Sequence, residues 1–123
     1  MIDNLIKTLI ILLILTPLTL HAEDLRQVTI RDSNFDIIKK LNSSVDLEAF
    51  SVMWSKKIET PSNNLNWNFK IDIEPGDRWL YSSDGWATVL TIKTRNPIYK
   101  ISDVIKFNNL LGIENTLLIN TSK

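Results

Sequence analysis

Asp72 and Glu74 stand two residues apart in a run that alternates polar and apolar residues, so both carboxylates share one face of a strand. With Asp77 and Asp84 in nearby turns, such a pair can share a proton or hold a hard cation through oxygen. Two carboxylates are also the minimum equipment for cutting a glycosidic bond. A plainer reading uses the same residues. The wet face of an amphipathic strand carries charges in any case, and Lys70 lies on that face as a partner.

Four tryptophans form the second concentration of chemistry: Trp54, Trp67, Trp79 and Trp86. Trp79, Tyr81 and Trp86 flank the Asp84-Gly85 turn, close enough for two rings to meet across a hairpin. Arg78 and Asp84 add charge beside those rings. Aromatic and arginine anchors of this kind carry most of the energy of protein recognition, and they also suit a sugar ring. The expected binding residues are therefore Arg78, Trp79, Tyr81, Asp84 and Trp86. Packing within the hairpin would use the same rings. Trp67 belongs to an apolar stripe and is expected in the core.

Much other chemistry is excluded by residues 1–22, which read as an export signal. Lys7 supplies the positive start, Thr8 to Thr16 an apolar run, Pro17 a break and Ala22 a small residue at the cut. The run falls short of the roughly 20 residues of a membrane span. Cleavage removes His21, the one histidine, and leaves an exported part, 23–123, with neither His nor Cys. A Ser-His-Asp or Cys-His triad cannot then be built, and the commonest zinc ligands are missing. Nucleotide-binding glycine patterns and the spacing of a calcium loop are also missing. No metal and no cofactor are expected.

Fourteen basic residues balance fourteen acidic ones, and the leader takes one of each, Lys7 and Asp3. A balanced chain has no net field to draw in nucleic acid or an anionic membrane. Membrane contact is expected only through the leader before cleavage. The expected location is the bacterial periplasm, or the medium beyond it.

Positioning these residues falls to a sequence without repeats or linkers. Leu25 to Arg31 alternates as a short strand. Ser33 is placed to cap a brief helix carrying Phe35, Ile38 and Leu41, ended by Asn42-Ser43-Ser44. From Asp46 to Ile58, Leu47, Phe50, Trp54 and Ile58 recur at helical spacing, with Asp46 as cap and Lys56 and Lys57 at the negative end of the dipole. Phe50, Val52 and Trp54 also alternate as in a strand; the helix is the expected form.

Leu65 to Ile73 has period two, with Leu65, Trp67, Phe69, Ile71 and Ile73 inward and Asn66, Asn68, Lys70, Asp72 and Glu74 outward. Pro75-Gly76 suits a type II turn. Arg78 to Tyr81 is extended, Ser82 to Gly85 turns, and Trp86 to Lys93 makes a central strand. Ile98, Tyr99 and Ile101 form a short return. Ser102 caps a last helix, Asp103 to Leu111, closed by Gly112. Leu117 to Ile119 offer a further edge strand.

Short connections and hairpins predict a single α+β domain: an antiparallel sheet of four to five strands with helices on one face. The expected function is that of an exported, non-enzymatic binding protein acting on a protein partner, as an inhibitor or immunity protein. Two other readings stand beside it: a carboxylate-based enzyme acting on cell-wall glycan, and an accessory subunit of an envelope assembly.

Overall fold

The computed structural model describes residues 24–63, 65–91 and 96–115. The expected leader and the edge strand at Leu117 to Ile119 lie outside the described residues. Along the chain run β1 (Gln27–Arg31), β2 (Ile37–Leu41), α1 (Ser44–Ser55), β3 (Ile58–Glu59), β4 (Phe69–Glu74), β5 (Arg78–Ser82), β6 (Trp86–Val89), β7 (Ile98–Lys100) and α2 (Val104–Leu111). The strands form one seven-stranded sheet in the order β2-β1-β4-β5-β6-β7-β3. Every neighbouring pair is antiparallel, which makes this a small α+β domain with more strands than expected.

Cross-strand register sorts the side chains into two faces. The row Ile30–Ile71–Trp79–Val89 and the row Phe69–Tyr81–Ala87–Tyr99 share the first face with Val28, Leu41 and Ile73. Val28, Ile30, Leu41, Ile71, Tyr81 and Ala87 are fully buried there, and each large apolar side chain so buried is worth roughly 1.5–3 kcal/mol. Both helices pack on this face. Phe50 and Trp54 of α1 and Phe107 of α2 interlock with Trp79 and Tyr81, at ring separations from 4.8 to 6.0 Å. The expected docking of the last helix through Phe107, Leu110 and Leu111 is what holds it there.

Ser43 caps α1, its hydroxyl accepting from the Asp46 amide at 3.2 Å, so Asp46 sits in the first turn rather than at the cap. Lys57 completes the other end by donating from Nζ to the Trp54 carbonyl. Asp103, not Ser102, caps α2, and Gly112 closes it in the left-handed region at φ 75°. Ile58 belongs to β3 instead of the helical face. Among the described residues no helix is long and apolar enough to cross a membrane.

The expected helix at Ser33 is instead the β1–β2 loop followed by β2. Asp32 accounts for the difference. Its carboxylate accepts from the amides of Asn34 and Asp36, at 2.8 and 3.0 Å, and its backbone bonds to Asp36 and Phe35 close a tight turn. The chain is returned to pair with β1 before a helix can start.

A second difference concerns β4, which begins at Phe69. Leu65 to Asn68 pair with no strand among the described residues, Trp67 is half-buried outside the core, and the Oδ1 of Asn68 is buried despite its expected wet face. The Glu74–Pro75 peptide is cis, and Gly76 takes φ 151° where a type II turn needs about +80°. β6 is central as expected but ends at Val89, and Lys93 lies outside the described residues.

Candidate functional site

The second sheet face carries the other set of side chains. One row runs Lys40–Thr29–Asp72–Arg78, a second Ile37–Arg31–Lys70–Leu80–Thr88–Ile98, and a third Ser82–Trp86–Lys100–Ile58. This geometry divides the five expected binding residues. Arg78 and Trp86 are on the second face. Trp79 and Tyr81 point the opposite way, under the helices, because odd and even positions of β5 alternate. Asp84 is exposed in the hairpin loop.

Tyr81 is a core residue. It is 0% exposed, and its hydroxyl donates to Asn108 Oδ1 at 2.5 Å. Asn108, also fully buried, donates to the Ser83 carbonyl at 2.8 Å and to Asn115 Oδ1 at 3.1 Å. Burial, with a smaller contribution from Asp84, pushes the Tyr81 phenol well above its ordinary range. Trp79 is half-buried and meets Trp54 edge-on at 4.8 Å. Trp79 and Trp86 do not pair, since Trp79 stands opposite Val89 and Trp86 opposite Ser82. Trp86 carries the Lys100 ammonium over its ring at 4.7 Å, and the same ammonium donates to the Asp84 carbonyl.

Arg78 is the expected residue around which a site does gather. Its Nε and Nη2 donate to the two oxygens of Asp72 at 2.5 and 2.9 Å, and Arg31 Nε adds a third bond at 3.1 Å. Asp72 is thus held well below the usual carboxylate range, first by the bonds from Arg78 and then by Arg31, against a partial burial that works the other way. A carboxylate fixed as an anion has no proton to donate at neutral pH. Glu74 shares its face as expected, exposed at the strand end. Among the described residues no group of three His, Cys, Asp or Glu could hold a metal ion.

Phe35 completes the cluster; periodicity alone places it on a helix, and the structure places it in the β1–β2 loop. Its backbone has φ 66°, uncommon for any residue with a side chain and more so for a bulky one. The Asp32 bonds fix both of its neighbours, and Arg31 Nη1 donates to its carbonyl at 3.1 Å. Held this way the ring is 52% exposed, with Lys70 Nζ 4.1 Å and Arg78 Cζ 5.5 Å from its centre. Ile37 and Leu90, each about half exposed, border the cluster on the same face. The signal for it in the sequence is Asp32 followed by Ser33-Asn34, a turn composition that competes with Ser33 as a helix cap.

The strands carry more cations than anions on this face: Arg31, Lys40, Lys70, Arg78 and Lys100 stand against Asp72 and Glu74, and Asp72 is already committed to two arginines, while the loop that presents Phe35 adds Asp32 and the exposed Asp36. Comparison of the chain with protein-family models, with curated proteins and with solved structures gives no match in any of the three.

Proposed function

We propose that this protein is an exported, non-enzymatic binding protein that inhibits or neutralises a protein partner, engaging an acidic surface of that partner with its second sheet face. The carrying observation is Phe35, an exposed ring presented in a left-handed backbone conformation and bracketed by Lys70 and Arg78. Unusual backbone conformations persist where surrounding structure over-determines them, and they cluster at ligand clamps. An exposed aromatic anchor beside Arg78 matches the residue types that carry most of the binding energy at recognition surfaces. The excess of positive charge selects an acidic partner and speeds its encounter.

Capture from periplasmic extract tests this reading. A partner retained by the wild type should be acidic and should be released by raised salt. Phe35→Asn keeps a residue that tolerates positive φ, so this variant should melt near the wild type while binding about 2 kcal/mol more weakly. Lys70→Gln should slow association. A partner held equally well by both variants would remove this face from the function.

A further inference from the structure

A cavity of about 370 Å³ opens between the start of β1, helix α1 and the turn after β4. Leu25, Phe50, Trp54, Ile73 and Pro75 make its walls mainly apolar, and Lys57 is the cation in its lining. The Lys57 ammonium lies 4.4 Å from the centre of the Trp54 ring, with Trp79 at 5.2 Å and Tyr99 at 5.3 Å. These rings and the Trp54 carbonyl offer partial negative charge but no counter-ion. Among the described residues neither Asp nor Glu forms an ion pair with Lys57. A half-buried cation thus stands uncompensated beside an apolar space, and burial lowers its pKa.

We infer that this cavity is a binding site for a free, single-chain amphiphile with a carboxylate head, its chain against Phe50, Trp54 and Ile73 and its head on Lys57. Charge complementarity selects the head, because an anion supplies what the rings lack. Size selects the tail. The volume is at the small end of the roughly 300–1,000 Å³ of ligand sites, which suits one short chain rather than a two-chain lipid. Asp24, exposed at the mouth, works against an anion and so offers a sign test. None of these residues belongs to the Phe35 cluster, so either reading can fail alone.

Calorimetric titration of the protein, produced from the full chain, with dodecanoate below its micelle concentration tests the inference. Dodecyltrimethylammonium and dodecanol serve as probes with the same tail. Dodecanoate should bind saturably, about tenfold or more weakly to Lys57→Met, and more tightly to Asp24→Asn. Ser51→Phe, which fills the cavity from α1, should abolish binding. Equal affinity for the trimethylammonium probe, unchanged affinity of Lys57→Met, or no saturation by the wild type would each overturn the site. Should Lys57→Met fold poorly, the three head groups and Asp24→Asn still decide, since weaker binding to Asp24→Asn would also refute an anionic head.

Discussion

Charge and burial at single residues divide the expected binding set into two kinds, and substitution separates them. Tyr81→Phe removes the donor to Asn108 Oδ1, leaving a buried acceptor unpaired at a cost of about 1–3 kcal/mol. Thermal melting should report that loss while partner capture is unchanged; weaker capture at full stability would return Tyr81 to the binding surface. Asp72 gives a pH signature. Its folded pKa lies below the ordinary aspartate value of about 3.9, so its stabilisation is complete above that pH and disappears as pH falls through the lower folded value. Melting temperatures compared at about pH 5 and about pH 3 should fall further for the wild type than for Asp72→Asn. Equal falls would mean that the two arginines contribute nothing through this carboxyl. Arg78 was legible in the sequence as a hot-spot type. Its partners Arg31 and Asp72 were not grouped with it, because they meet across three strands whose pairing no local pattern reveals.

At the level of elements, the sequence was most readable where local signals agree. Leu47, Phe50 and Trp54 recur at helical steps, and α1 buries that face. Ile71 and Ile73 alternate with polar neighbours, and β4 follows them. The Asp84-Gly85 signal gave the hairpin between β5 and β6, where Gly85 has φ 94°. That glycine is required twice over. A Cβ there would collide with the Val104 side chain at the start of α2, so Gly85→Ala combines a clash with an unfavourable φ. We expect a loss of about 2 kcal/mol or more in denaturant melts, and a loss under 0.5 kcal/mol would mean the helix can shift freely. Reading failed where tertiary pairing overrode local pattern. Residues Leu65 to Trp67 alternate as well as β4 does, yet among the described residues no strand pairs with them. Ser33 can cap a helix, but the adjacent Asp32 turns the chain first.

For the molecule as a whole, a neutral sequence becomes a two-sided object. One face is covered by helices and supplies the core; the other gathers cations from five strands, from Arg31 on β1 to Lys100 on β7. Association with an acidic partner should therefore slow as salt rises from about 50 to 500 mM, although net charge predicts no dependence. A rate insensitive to salt would argue against the cationic face. The order of the strands has its own bearing on the protein's colloidal behaviour. Among the described residues β2 is an outermost strand, and Ile37 and Ile38 on it are both exposed. Such a border is a template on which further copies can crystallise strand by strand, and Lys39 and Lys40 stand on it as gatekeepers against that growth. Replacing both lysines with threonine should leave the circular dichroism of the folded protein intact yet start light-scattering growth at concentrations where the wild type stays clear. Solubility in this protein would then be a property of two positive charges on one border strand.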